Sequence, residues 1–337
     1  MLSVSALTQG VSVASARFRV VQYIEPLRQY GIIINNLPAT HGSYPPAGFF
    51  PRCRWLPSTL IDAAERVRYS NRATLRLLQR PLVSTLLTLE PWLSQPYVLD
   101  VDDAIFLQDR SRMFDRVARR AQLTICGNNF LANHYDSFGA TVVVLPTAVD
   151  TERFVPANSP PLQPVIGWSG SSSGFNYLYE IEDALCVVLK KNPNAVFQVV
   201  ADQPPDFKKL PTNQVQFKRW NAATEVALLQ EFTVGLMPLI DNAWARGKCS
   251  FKMLTYMAAG LPVIVSPVGM NAEILALANC GLAPVNHDEW VDALDLLLHD
   301  SSMASYMGKI GRATVERYFS RSVIAPKLAE LLHRASC

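Results

Sequence analysis

A chain of 337 residues with 49% hydrophobic content is too long for one ordinary core and suits two globular domains. No run of 18 apolar residues occurs, which excludes a hydrophobic membrane-spanning helix, and six cysteines with neither Cys-x-x-Cys pairing nor histidines at zinc spacing read as reduced thiols of a cytoplasmic protein. The net charge of +3 is unevenly spread: residues 1–155 hold 16 arginines, no lysine and 12 acids, a balance of +4, so the front half is the better match for an anionic surface or acceptor.

Residues 2–7 read as a first strand, not as a basic and then apolar leader, so no signal peptide is expected. A small-residue loop over 12–16 leads into helical periodicity from Arg17 to Leu27, ending near Tyr30-Gly31, and Ile32-Ile33-Ile34 is the next strand. This β-loop-α-β opening is the first unit of a doubly wound sheet, in which ligands sit at the carboxyl ends of strands. No Gly-x-Gly-x-x-Gly supports a dinucleotide fingerprint. Residues 38–58, rich in proline and aromatics, predict a long loop over the cleft. A helix is expected from about Leu60 to Leu78. Its Arg68, Arg72 and Arg76, with Arg66 close by, form a basic stripe that is either a solvated face or a contact for an anionic membrane or lipid phosphate.

Tyr97-Val98-Leu99 predicts a strand running into Asp100, Asp102 and Asp103. Carboxylates crowded at a strand end repel one another, which predicts raised pKa values and a functional site. An Asp-x-Asp also invites a divalent ion, and the plain alternative is an N-cap cluster for residues 104–108. Strands are expected at 121–126 and 142–145, with Gly127-Asn128-Asn129 opening a helix between them, and 156–164 has the composition of a linker.

Residues 165–168 open a second sheet. The loop Ser169-Gly170-Ser171-Ser172-Ser173-Gly174 precedes a helix over about 175–191 and exposes backbone N–H groups suited to phosphate. Further strands are expected at 195–200, 215–220 and 234–239, and a short helix at 224–231. Residues 246–265 read as loop, helix, tight turn and buried strand. Gly247 turns the chain into a helix with Ser250 as N-cap; Phe251, Leu254, Met257 and Ala258 share its apolar face, Gly260 stops it, and residues 263–265 are a strand covered on both faces. Lys248 and Lys252, four apart beside a helix N-terminus, are either a diphosphate site or two solvated lysines. Helices at 290–298, 306–319 and 322–335 complete the chain.

Several of these segments resemble family 4 glycosyltransferases, which have the GT-B fold. Gly-Lys-Cys-Ser-Phe-Lys-Met-Leu-Thr-Tyr-Met-Ala-Ala-Gly-Leu-Pro-Val, residues 247–263, is similar to that family's donor-binding segment, with Gly247 and Thr255 standing where many members carry glutamates. Pro-Thr-Ala-Val-Asp-Thr-Glu-Arg-Phe, residues 146–154, resembles its interdomain segment, and residues 266–274 resemble a stretch near the donor. Ser-Ala-Arg-Phe-Arg at 15–19 and Asp-Val-Asp-Asp at 100–103 resemble the forms those segments take in a subgroup.

The resemblance implies an α/β chain of two Rossmann-like doubly wound domains facing a cleft. The N-terminal acceptor-binding domain would span 1–155, a linker 156–164, the C-terminal nucleotide-sugar-binding domain 165–320, and a terminal helix over 321–337 would cross back. It implies sugar transfer from a nucleotide diphosphate sugar to a hydroxyl of a glycan or lipid-linked acceptor, with retention at the anomeric carbon and no metal or other cofactor. Asp102 or Asp103 then faces the acceptor hydroxyl as base or positioning group, and Lys248 and Lys252 stabilise the leaving diphosphate. Ser169, Gly170, Ser171, Ser250, Phe251 and Thr255 lie on the donor. Trp220 stacks on the base or simply packs, and Asp241 takes over a sugar contact of the absent glutamates. Arg17, Arg19 and Asp100 lie on the acceptor side. A role in cell-surface polysaccharide synthesis at the inner face of the membrane is expected, without nucleic acid. The rivals are a nucleotide-sugar 2-epimerase, which needs more than the single His287 between Met237 and His299, and a non-catalytic nucleotide-sugar-binding module.

Overall fold

In a computed structural model, described over residues 1–10, 13–41, 46, 48–83, 89–108 and 113–337, the chain forms two compact units. The first comprises residues 1–148, 246–249 and 321–337, the second 149–245 and 250–320. Each is built on a six-stranded sheet in which every pairing is parallel.

The first sheet contains β1 (Leu2–Thr8), β2 (Ile32–Pro38), β3 (Leu75–Gln79), β4 (Tyr97–Val101), β5 (Leu123–Cys126) and β6 (Val142–Val144), in the order β2-β1-β3-β4-β5-β6. The order reverses direction between β1 and β3, and a crevice opens at such a point, outside the carboxyl ends of the strands. Both faces of β3 and β4 are buried throughout, as expected of inner strands of a parallel sheet. Around the sheet lie α1 (Ala14–Arg19), α2 (Phe49–Ser70), α3 (Met113–Arg120) and α4 (Asn129–Ser137). The last helix of the chain, Arg321–Ser336, completes this unit's core. Ile324, Leu328, Leu331 and Leu332 cluster with Val4, Ile32, Leu75 and Val98.

Three expectations for this half are corrected. The loop over 12–16 is shorter, because the helix already starts at Ala14; Ser12 lies outside the described residues. Much of the loop expected over 38–58 is helix, since α2 begins at Phe49 and takes Pro51 in its first turn, where a missing N–H costs nothing; residues 42–45 and 47 lie outside the described residues. The helix expected over 60–78 ends at Ser70, and Arg76 is on β3. The basic stripe therefore does not exist: Arg68 is on the helix, Arg72 follows it, and the buried Arg66 donates to the carbonyls of Leu37 and Thr8.

The second sheet contains β7 (Val165–Ser169), β8 (Val196–Ala201), β9 (Val215–Arg219), β10 (Val234–Met237), β11 (Val263–Val265) and β12 (Gly281–Leu282), in the order β12-β11-β10-β7-β8-β9. Its switch point lies between β7 and β10. The helices are α5 (Phe175–Glu180), α6 (Glu182–Lys191), α7 (Glu225–Gln230), α8 (Ala243–Arg246), α9 (Phe251–Ala258), α10 (Met270–Leu277), α11 (His287–His299) and α12 (Ser301–Tyr318). The single helix expected over 175–191 is two, broken at Ile181. The end of α9 follows the expected pattern: Gly260 takes φ +72°, its N–H reaches the Met257 carbonyl, and that of Leu261 reaches Tyr256, which is a Schellman stop. Arg312 of α12 ties the carbonyls of Thr151, Phe154 and Ala258 together within this unit.

Candidate active site

At the carboxyl end of the first sheet, β4 delivers Asp102 and Asp103, and β3 delivers Arg80. The guanidinium takes one oxygen from each carboxylate: Nε donates to Asp102 Oδ1 at 2.6 Å and Nη2 to Asp103 Oδ2 at 2.8 Å. Lys248 Nζ stands 3.9 Å from the other oxygen of Asp103. All four side chains are mostly buried, so these charges are weakly screened. Sequence reasoning named Asp102, Asp103 and Lys248, and the fold of the first unit brings them together. It missed Arg80, which ends a strand that had been expected to be helix. Arg80 adopts φ +65°, a left-handed conformation that costs a non-glycine residue energy and clusters at functional sites. The only other such residue among those described is Ser250, at φ +50°.

Residues 246–249 form part of this first unit. Gly247 lies against Ala104, where an added Cβ would stand 2.5 Å from the Ala104 Cβ. Its lack of a side chain thus serves close approach, and the turn expected at Gly247 occurs instead at Ser250. Asn128, whose side-chain oxygen caps α4 at the Leu131 N–H, donates its amide to the carbonyls of Arg246 and Lys248. The buried Cys249 thiol donates to the Asp102 carbonyl at 3.2 Å. Burial, then the neighbouring Asp102 charge, push that thiol well above its usual pKa, so it stays protonated and unreactive.

Asp100 and Arg19 are corrections. Their side chains are 5% and 3% exposed and ion-paired at 2.6 Å, and Arg19 also donates to the Leu145 carbonyl. The pair braces α1 against β4 inside the core and is not an acceptor surface. Burial drives the Asp100 carboxyl upward against the pull of Arg19; repulsion from Asp102 contributes less, so crowding is not the main cause that the sequence suggested. Arg17 is half-buried, with its guanidinium 4.9 Å from the Phe18 ring. Among the described residues no group of three or more His, Cys, Asp or Glu is placed to hold a metal ion.

In the second unit Ser169 ends β7, and the loop after it carries Gly170 and Ser171. An added Cβ on Gly170 would stand 2.4 Å from Lys252 Cε and 2.7 Å from the Trp168 ring, and Lys252 Nζ lies 5.2 Å from that ring's centroid. The glycine and the lysine are therefore close neighbours, but the exposed N–H groups expected of this loop are a correction: Ser169 donates its N–H to the Tyr256 hydroxyl, Gly170 to the Val200 carbonyl and Ser172 to Asp202. Asp202, at the end of β8, was not named as a site residue; it accepts from the Ser172 N–H at 2.6 Å and from its hydroxyl at 2.8 Å. Burial opposes the charge, but these bonds hold the Asp202 carboxyl below its usual pKa.

The start of α9 differs from expectation. Ser250 occupies the N-cap position, but its hydroxyl donates to Asn271 Oδ1 at 2.7 Å and does not cap. Asn271 in turn donates to the Ser266 carbonyl, and Ser266 accepts from the Leu239 N–H. Lys252 is on the first turn, whereas Lys248 precedes the helix and belongs to the first unit, so the two lysines do not share a helical turn. Thr255 is buried with its hydroxyl on the Lys252 carbonyl, which takes it off the donor surface. Phe251 is half-buried and Asp241 is exposed. Trp220 is half-buried, and its indole N–H donates to Glu225 at 3.2 Å.

Residues 163–300 match the family model described as glycosyl transferases group 1. The matched residues lie almost wholly in the second unit. No curated protein sequence matches the chain. Solved structures with the same fold include HepE of Anabaena in complex with UDP and glucose, at a TM-score of 0.73 and 16% identity, covering 99% of this chain and 100% of that one. Sucrose-phosphate synthase from Thermosynechococcus elongatus aligns at a TM-score of 0.71 and 14% identity over 99% of both chains. WaaG, a glycosyltransferase involved in lipopolysaccharide biosynthesis, aligns at 0.64 and 14% identity over 98% of this chain and 99% of its own. The fold is therefore GT-B, with two Rossmann-like units, as the sequence led us to expect.

Proposed function

We propose that this chain is a retaining glycosyltransferase of the family 4 kind. It moves a sugar from a nucleotide diphosphate sugar to a hydroxyl of a glycan or lipid-linked acceptor in cell-surface polysaccharide synthesis. The observation that carries the reading is the Gly170–Lys252 feature at the carboxyl end of β7, inside the segment that matches group 1 glycosyl transferases. The second unit binds the donor: the Lys252 ammonium, beside the Gly170 turn, meets the diphosphate, and Trp220 lies near the base. The first unit binds the acceptor. In the reaction the anomeric carbon–oxygen bond to the diphosphate breaks, and a bond to the acceptor oxygen forms on the same face. The leaving diphosphate keeps the electron pair, and positive charge from Lys252 and Lys248 stabilises it. Asp102 or Asp103 orients the acceptor hydroxyl or takes its proton. HepE was solved with UDP and UDP-glucose, so UDP is the first nucleotide to test.

The test is a thermal-shift series with UDP, GDP, dTDP, ADP and CMP, with and without a divalent ion. Binding stabilises the fold by mass action, so a shift with one nucleoside diphosphate supports the reading, and no shift with any overturns it. NMR of the product's anomeric configuration decides retention. One observation favours the non-catalytic binding module: Gly247, which replaces a family glutamate, has no room for a side chain beside Ala104. Nucleotide binding without turnover across acceptors supports that second reading.

Contact with an anionic membrane surface is assigned within this proposal to the first turns of α2. There Phe49 and Phe50 are 76% and 81% exposed beside the exposed Arg52 and Arg54, a combination that suits anionic headgroups. Loss of cosedimentation with anionic vesicles in a Phe49→Ser/Phe50→Ser variant supports it; unchanged cosedimentation overturns it. No described helix is long and apolar enough to cross a membrane.

A further inference from the structure

Asn128 is 2% exposed, yet it donates its amide out of its own helix to two carbonyls more than a hundred residues away in sequence. The bonds, 3.2 Å to Arg246 and 3.0 Å to Lys248, grip the chain on either side of Gly247. Two glycines make the grip possible. Gly247 is pressed on Ala104, and a Cβ at Gly127 would stand 2.2 Å from the Cys249 sulfur. Cys249 adds its thiol bond to the Asp102 carbonyl. Residues 246–249 are thus fixed on the loops that follow β4 and β5, next to Asp102 and Asp103. Their one long polar side chain besides Arg246 is Lys248, which this grip holds at 3.9 Å from Asp103.

We propose that Asn128 is a positioning residue: its amide clamps the backbone around Gly247 and thereby sets where the Lys248 ammonium stands. The functional side of this rests on the assignment of Lys248 to the diphosphate; the clamp itself does not. Asn128 has two separable jobs, since its oxygen caps α4 while its nitrogen holds the distant segment. Serine keeps the first and loses the second, because it caps helices about as well as asparagine and is too short to reach both carbonyls. Asn128→Ser therefore releases the segment without unravelling the helix.

Cys249 is the built-in reporter. In a background with the exposed Cys53 and Cys337 changed to serine, the rate of labelling by a thiol reagent measures how often each buried thiol becomes accessible. Loss of two hydrogen bonds predicts that Asn128→Ser speeds Cys249 labelling by about ten-fold or more. Cys126, buried in β5 of the same unit, is the control and should keep its rate. An unchanged Cys249 rate, or an equal rise at Cys126, overturns the clamp. The functional arm is a double-variant cycle on UDP affinity by calorimetry. Asn128→Ser alone should weaken UDP about five-fold, and in a Lys248→Ala background it should add less than about two-fold, since coupled residues are not additive. Full additivity means that Asn128 does not act through Lys248. If Lys248→Ala itself leaves UDP affinity unchanged, the diphosphate assignment fails, and the labelling rates still decide the clamp.

Discussion

Arg80→Met removes a charge that neutralises two carboxylates and keeps much of the side chain's volume. In the native first unit Arg80 makes charge-assisted bonds of 2.6 and 2.8 Å to Asp102 and Asp103, with the arginine 12% exposed and the acids 12% and 20% exposed. Unpairing a fully buried ion pair costs about 3–5 kcal/mol. These groups retain some water, and Lys248 still faces Asp103, so a loss of about 2–4 kcal/mol is expected. The variant keeps the φ +65° backbone, so its strain does not enter the difference. Urea unfolding followed by circular dichroism measures the loss. Arg80→Lys should recover less than half of it, because an ammonium cannot span two carboxylates as a guanidinium does. Adding Asp102→Asn and Asp103→Asn to Arg80→Met should recover most of it, by removing the orphaned charges. A loss under about 0.5 kcal/mol, the size of an exposed ion pair, would refute the reasoning.

Gly170→Ala should weaken nucleoside diphosphate binding by about ten-fold, the worth of one charge-assisted contact, because the new methyl displaces Lys252 and presses on Trp168; unchanged calorimetric affinity in a folded variant rejects the link between the loop and the lysine. In the native protein Cys53 and Cys337 should react rapidly with a thiol reagent and the four buried cysteines slowly, with burial holding the Cys126 thiol up at about 12; a third fast thiol contradicts the packing. Asp202 has a depressed pKa, so its hold on Ser172 is complete above the ordinary carboxylate value of about 3.9 and is lost as pH falls through the lower folded value. The Ser172 amide signal should therefore stay constant from neutral pH down to about 4 and move only below it; titration above that value contradicts the assignment.

The sequence disclosed what local periodicity carries and hid what distance carries. Residues 263–265 and 97–99 announce buried parallel strands by unbroken apolar runs, and Gly260 announces a helix stop. β3 was concealed because its buried arginine, Arg76, falls at helical spacing from Arg68 and Arg72. Once the strand is known, Arg80 at its end follows, but nothing in its neighbourhood predicts that an arginine adopts a left-handed backbone. Arg19 and Asp100 looked like surface charge for the same reason: their pairing spans 81 residues, and a charged residue gives no local sign of burial. The Lys248–Lys252 spacing suggested one helical face, and only Ser250's unusual φ separates them. Asp102, Asp103 and Lys248 were found because strand ends and segment resemblances pointed to them independently.

The place of the helix Arg321–Ser336 in the first unit's core has a consequence for biosynthesis. The unit that begins at residue 1 cannot finish until residues 321–336 have left the exit tunnel. Until then Val4, Ile32, Leu75 and Val98 lack the leucines that cover them, and a nascent parallel sheet with uncovered apolar surface is prone to aggregate. Emergence of residues 321–336, not synthesis of the first 148, completes this unit, and a fragment ending at residue 320 should emerge insoluble or bound to a chaperone.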